Sequence, residues 1–208
     1  MSRRRTAACA ALLTLLLVPA ARASDWVSEL FPDKYQPKSI HYRARVVDRS
    51  AKVHFVEAWR EPRRLRRTSD GILDLYANRT GTGLATVLFD KRSGHVLRGD
   101  ERALLRTGHV EAWSELAYVL VRPAGTFDLG RAGPPKRRCG TTCQPYRLVR
   151  TDGTAFTFCW SSRLRLPLEI NTAAGQPAFV VDFVEERPAP AGIFLPPAPS
   201  VTDQTDDD

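Results

Sequence analysis

Arg63-Arg64-Leu65-Arg66-Arg67-Thr68-Ser69-Asp70-Gly71-Ile72-Leu73-Asp74-Leu75-Tyr76-Ala77 is the stretch on which the reading of this chain turns. Residues 63–68 read as a strand, Ser69-Asp70-Gly71 is a tight-turn signal, and residues 72–77 read as the returning strand. The same grammar extends in both directions. Upstream, Ile40, Tyr42, Ala44 and Val46 alternate with His41, Arg43 and Arg45, as a half-buried strand should. Val53, Phe55 and Trp59 follow an Asp48-Arg49-Ser50 turn in the same style. Downstream, residues 84–90 and 95–98 flank a turn at 91–94, and Thr151-Asp152-Gly153-Thr154 joins residues 146–150 to 155–160. Residues 166–172 and 178–185 pair around Ala174-Gly175-Gln176-Pro177.

One segment departs from period two. Between His109 and Val121 the apolar residues Val110, Trp113, Leu116, Ala117, Leu120 and Val121 recur at helical spacing, bounded by Gly108 and Pro123. A second short helix is expected at residues 25–31. Together these give an α+β fold: a curved antiparallel sheet, a half-barrel of about nine strands, wrapped around one central helix. The concave apolar face of such a sheet holds either a packed core or a ligand. Residues 132–138 read as an exposed loop.

The opening residues bear on compartment. Arg3-Arg4-Arg5 precede a run at 6–20 that is almost purely apolar, and Ala21-Arg22-Ala23 has the small-x-small form read by signal peptidase. A run of about fifteen residues falls short of a membrane span. Cleavage after Ala23 and export to the periplasm are expected. The division is a leader at 1–23, a short helix and linker at 24–38, one domain at 39–186, and a Pro-rich closing segment with a disordered acidic tail at 187–208. The leader takes four of the 31 basic residues and none of the 23 acidic ones, halving the net charge from +8 to +4. Export disfavours nucleic acid as a partner. A basic envelope protein instead meets anionic lipid or an acidic partner protein, and a monomer is expected.

Past the leader there are three cysteines, Cys139, Cys143 and Cys159, so one internal disulfide is possible. Cys143–Cys159 is favoured and Cys139–Cys159 comes second. Hairpin register sets Cys159 against residue 145 or 146, so a bridge to Cys143 requires a bend or bulge. Catalytic signatures are thin. His41, His54, His95 and His109 are scattered, no metal-binding or phosphate-binding motif occurs, and Glu185-Glu186 point to opposite faces of a strand. Neither catalysis, cofactor nor metal is expected. The aromatic residues are more suggestive. Phe156, Phe158 and Trp160 share parity on one strand, as do Phe179, Val181 and Phe183 on another. Tyr42, Phe55 and Trp59 are read as a further matched set, with Trp113 on the apolar face of the helix. They form either a sheet-on-helix core or the wall of an acyl pocket, where each methylene contributes about 0.8 kcal/mol without directional chemistry. Arg60, Arg64 and Arg66 are candidates for partner or headgroup contact, since a guanidinium suits phosphate; Arg63 and Arg67 point away from Arg64 and Arg66.

Several of these stretches together resemble the periplasmic lipoprotein-carrier superfamily, the LolA/LolB-like fold. Trp59-Arg60-Glu61-Pro62-Arg63-Arg64-Leu65-Arg66 is similar to the basic, Pro-containing strand of those carriers. Ser69-Asp70-Gly71 with Ile72-Leu73-Asp74-Leu75-Tyr76 is similar to their Asp-Gly turn and aromatic strand, and Ile193-Phe194-Leu195-Pro196-Pro197 to their closing segment. Arg150-Thr151-Asp152-Gly153-Thr154 leading to Trp160, then Leu166-Pro167-Leu168, also resembles the N-terminal domain of RseB/MucB-type regulators. The resemblance implies a half-barrel cavity for a lipoprotein or lipid and an inner- or outer-membrane partner, or else a lipid-sensing interaction module. In the carriers an Arg directly before the Pro is tied to lid helices. Here Glu61 intervenes, which makes Arg60 a displaced candidate for that role, and the long N-terminal helix is reduced.

Overall fold

The computed structural model describes residue 30 and residues 39–48, 50–81, 83–99, 113–120, 126–198 and 201–203. The expected leader and the expected helix at 25–31, Leu30 apart, lie outside these residues. So do residues 109–112 and 121 of the expected central helix and residues 204–208 of the acidic tail.

Among the described residues thirteen strands and one six-residue helix form in chain order: β1 (Ile40–Val47), β2 (Val53–Arg60), β3 (Arg64–Ser69), β4 (Leu73–Arg79), β5 (Leu84–Asp90), β6 (His95–Gly99), α1 (Trp113–Tyr118), β7 (Phe127–Arg131), β8 (Lys136–Arg138), β9 (Thr141–Arg150), β10 (Ala155–Ser161), β11 (Leu166–Asn171), β12 (Pro177–Glu186) and β13 (Val201–Asp203). Twelve strands run in the order β13-β6-β5-β4-β3-β2-β1-β12-β11-β10-β9-β7, and β8 pairs with β9 off that path. Every pairing is antiparallel except β13 on β6. The sheet is therefore two meanders. One runs from β1 to β6, the other joins β9 to β12 with β7 at its edge, and they meet where β1 pairs with β12.

The chain does not adopt the expected α+β fold of about nine strands around a central helix. It is almost entirely antiparallel sheet, open at both ends of the strand order, and α1 is its longest helix among the described residues. Helical spacing at Trp113, Leu116, Ala117 and Leu120 marks which residues face the sheet, not how far the helix continues. Val119 takes φ +56°, a left-handed conformation costly for a β-branched residue, so the helix ends at Tyr118. The extra strands arise where alternation is weak. β8 lies in the expected loop at 132–138, and β13 is a three-residue strand in the expected tail. Cys139 and Gly140 take φ +46° and +73°, the two left-handed positions of a tight hairpin turn between β8 and β9. Asp70 and Gly71, at +51° and +70°, form the same kind of turn between β3 and β4, where the sequence signals it.

The core lies on the face that carries Ile40, Tyr42 and Ala44 of β1. Val56, Ala58, Leu65, Leu75, Ala77, Leu84, Leu166, Leu168, Phe179 and Val181 are buried with them, in one cluster with Trp113, Leu116 and Ala117 of α1. Ala44, Ala58 and Ala77 of the sheet are buried in the same cluster as α1. A second cluster joins Leu30, Leu120, Tyr146, Leu148, Phe158 and Trp160, and the Trp160 indole N–H donates to the Leu30 carbonyl at 2.7 Å. Cys143 and Cys159 are bridged, with Cα atoms 5.3 Å apart. Cys159 pairs with Pro145, so the bridge runs diagonally across the hairpin, and the β10–β11 register shifts at Cys159/Trp160. Cys139 is a free, exposed thiol. Among the described residues no helix is long and apolar enough to cross a membrane.

His54 ties two turns of the first meander together. Its Nδ1 lies 2.7 Å from Asp70 and its Nε2 3.2 Å from Asp48. Hydrogen bonding to Asp70, then to Asp48, raises the His54 pKa above its ordinary value, while Asp70 is held low chiefly by His54 and Asp48 by the Ser50 hydroxyl and then His54. A raised histidine contributes stability that is fully present below its unfolded pKa of about 6.5 and is lost as pH rises through the folded value. The two aspartates contribute above about pH 4 and lose their contribution as pH falls through their folded values. Thermal melts taken from pH 6 to 9 are therefore expected to show stability declining with pH, and His54→Gln is expected to flatten that slope.

Candidate functional site

Val56, Ala58 and Arg60 share parity on β2, and register sets Arg60 against Ile40 of β1 and Leu65 of β3. The strand thus turns an arginine toward the apolar face that α1 covers. Arg60 is 1% exposed. One of its terminal nitrogens donates to the Ala117 carbonyl at 2.7 Å and to the Arg165 carbonyl at 2.8 Å, while the other donates to the Leu164 carbonyl. The guanidinium also lies 5.2 Å from the Tyr118 ring centroid. One side chain of β2 thereby joins the last turn of α1 to the turn between β10 and β11, across both meanders.

Electrostatically the arrangement is unusual. A buried cation ordinarily has a carboxylate partner. Among the described residues its hydrogen-bond partners are all neutral carbonyls, and desolvation pulls its pKa down to about 10, with Tyr42 and Tyr118 opposing and Arg165 assisting. At neutral pH it remains charged. Around it are further polar atoms without satisfaction. The Tyr42 hydroxyl, the Arg60 Nε, the Trp113 indole N–H and the Ser161 hydroxyl are buried with no hydrogen-bond partner. Burial also raises the Tyr42 pKa, so its phenol stays protonated.

The aromatic residues expected to line a ligand wall divide between two faces. Tyr42, Trp113, Phe158, Trp160 and Phe179 are buried in the two core clusters, and Phe156 packs half-buried against Phe158. Phe55, Trp59 and Phe183 do not join them. Trp59 pairs with His41 and Phe55 with Arg45, at the parity opposite to Tyr42. Phe55 is 63% exposed. Phe183 shares parity with Val181 along β12, but the β1–β12 register shifts between Arg43 and Ala44, setting Phe183 against Arg43. That bulge re-aims the ring. On this outer face His41 stacks on Trp59 (centroids 4.2 Å apart) and meets the Phe183 edge at 5.5 Å. Its ring nitrogens lie 2.7 Å from Glu57 and 3.2 Å from Glu185, and Arg187 covers Trp59 at 4.7 Å.

The three candidate arginines are likewise dispersed. Arg64 is held by Glu61 at 2.6 Å and lies 4.7 Å over Phe194, beside a groove of about 340 Å³ lined also by Asn78, Pro190 and Leu195. Arg66 donates at 2.7 Å to Asp74, a carboxylate nearly closed to solvent. Burial would raise Asp74, but Thr68, Arg66 and Lys91 outweigh it and keep it ionised. Arg66 is thus committed within the fold, and among the described residues Arg60 alone of the three is buried without a carboxylate partner. Sequence reasoning did not include Leu164, Arg165, Tyr118 or Ser161, because carbonyls of an irregular turn carry no residue signature. Among the described residues no group of three or more His, Cys, Asp or Glu is arranged to hold a metal ion. No protein-family model matches the chain, and no curated protein matches it.

Two substitutions separate the satisfied from the idle groups. Arg60→Met strands three buried carbonyls and is expected to lower the unfolding free energy by about 3 kcal/mol in urea titration. It should also move Trp113 emission to longer wavelength. Tyr42→Phe removes a hydroxyl that has no partner and is expected to be neutral or to stabilise by up to about 1 kcal/mol.

Proposed function

We propose that the chain is an exported periplasmic protein that binds a hydrophobic or acylated ligand, a lipid or a lipoprotein acyl chain, and releases it without breaking a bond. The observation that carries this reading is the attachment of α1 to the sheet. Its last turn is held by a guanidinium whose hydrogen-bond partners among the described residues are neutral carbonyls, over an apolar face built from both meanders. A helix of six residues has little stability of its own, so its position depends on these contacts.

The magnitudes permit exchange. Lifting α1 re-exposes chiefly Trp113 and Leu116, at about 1.5–3 kcal/mol each. A sixteen-carbon chain taking their place buries about fourteen methylenes at about 0.8 kcal/mol each, which exceeds that cost before ordering entropy is charged. Tyr42, Phe158, Trp160 and Phe179 would then form the wall. The resemblance of residues 59–66 to the carriers' basic strand supports the same reading, because Arg60 makes a tie to a covering helix despite the intervening Glu61. The outer face, with Phe55 exposed and His41, Trp59 and Phe183 stacked, would serve a membrane or partner protein rather than the ligand.

Native mass spectrometry of protein purified from the periplasm tests the reading. Co-purifying acyl species of discrete mass are expected, together with binding of a palmitoylated peptide in preference to the same peptide without its acyl chain. Protein that is bare as purified and stays bare after incubation with phospholipid and palmitoylated peptide would overturn it.

A further inference from the structure

The inner face holds an excess of donors around a positive charge. Among the described residues Arg60 has no carboxylate partner, and the nearby charge of Arg165 makes its surroundings more positive still. Its Nε, the Trp113 indole N–H, and the hydroxyls of Tyr42 and Ser161 are buried without acceptors. Trp113 lies one helical turn before Ala117, the residue whose carbonyl Arg60 holds, so both fall on the same side of α1. Ser161 pairs with Leu166 across the mouth of the turn that supplies the Leu164 and Arg165 carbonyls. Tyr42 and Arg60 act on each other electrostatically.

From this we infer that Arg60 and the donors around it form the receptor for an anionic headgroup, carboxylate or phosphate, on the acylated ligand. The inference rests on the binding reading above and adds the chemistry of the ligand's polar end. A carboxylate offers about four acceptor sites and a phosphate more, whereas an alcohol head brings a single oxygen. A guanidinium pairs with either anion through parallel, charge-assisted hydrogen bonds that are stronger than those it makes to a carbonyl. The Ala117 carbonyl at the end of α1 therefore stands where an anion would bind better. Arrival of the headgroup displaces that carbonyl from Arg60 and frees α1, so ligand entry and opening of the inner face become one event. Departure of the anion returns Arg60 to Ala117 and closes the face again. A cationic head would meet Arg60 and Arg165 and be repelled.

The test compares three amphiphiles of equal chain length below their critical micelle concentrations: palmitate, hexadecyl phosphate and hexadecanol. On the wild-type protein at least one anion is expected to bind about tenfold or more tightly than the alcohol, and the larger advantage tells carboxylate from phosphate. In Arg60→Gln that advantage is expected to fall below about threefold while hexadecanol binding is kept. Tyr42→Phe and Ser161→Ala, which leave Arg60 in place, are expected to narrow the advantage in part and keep the inference testable if Arg60→Gln does not fold. Equal binding of alcohol and both anions by the wild type, or full discrimination by Arg60→Gln, would overturn the anion receptor and leave the binding reading standing. Binding of none of the three would remove the binding reading and the receptor with it.

Discussion

A charged guanidinium sealed among neutral carbonyls is the constraint on which the rest of this structure depends. Removing an ionised group from water costs several kcal/mol, and hydrogen bonds to carbonyls recover only part of it. The fold meets that cost by gathering three carbonyls from two distant places, Ala117 of α1 and the turn at Leu164 and Arg165. That gathering fixes α1 over the sheet and brings the β10–β11 turn against the end of β2. Among the described residues Arg60 supplies a hydrogen bond between β2 and α1, and the apolar contacts of Trp113, Leu116 and Ala117 hold the helix with it. A junction that is adequate but below full satisfaction suits a part that must both hold and let go.

The sheet supplies the two surfaces that this device separates. Antiparallel pairing from β6 across to β7 gives every strand an inner and an outer side, and the inner side carries the apolar cluster that α1 joins. The outer side is stabilised differently. His41 stacks on Trp59 and meets the edge of Phe183, with a carboxylate at each ring nitrogen, and Asp74 gathers Arg66, Lys91 and Thr68. On this side these polar groups have ionic or hydrogen-bonding partners, and Phe55 stays exposed beside them. The unbalanced charge is inside, where a ligand would have to displace part of the protein to reach it.

Much of this was legible in the residues, and what was not has physical causes. Ser69-Asp70-Gly71 announced a turn because only a few residue types take two consecutive left-handed conformations. Cys143–Cys159 is favoured by the shared hairpin although register sets Cys159 against residue 145 or 146, and the bridge forms diagonally across that register. The faces of Phe55, Trp59 and Phe183 were misjudged for two different reasons. On β2 both parities are apolar, and size favours the odd positions, whereas packing under a helix favours the small residues Val56 and Ala58. On β12 a bulge breaks parity between Val181 and Phe183, and no residue type marks it. The helix was overextended because periodicity reports contact with the sheet and is silent about the backbone of Val119. Arg60 was singled out by its neighbours in sequence, yet its role lies in carbonyls that sequence does not describe.

The most direct test of the account is native-state hydrogen exchange of the unliganded protein, measured amide by amide at increasing subdenaturing urea. If Arg60 is a releasable tie, the amides at the end of α1 should exchange through a partial opening of lower free energy, with weak urea dependence, while those of β1, β2 and β12 exchange only on global unfolding. If the amides of α1 share the free energy and urea dependence of the central strands, the helix is an inseparable part of the core and the account of a closing element held by Arg60 is wrong.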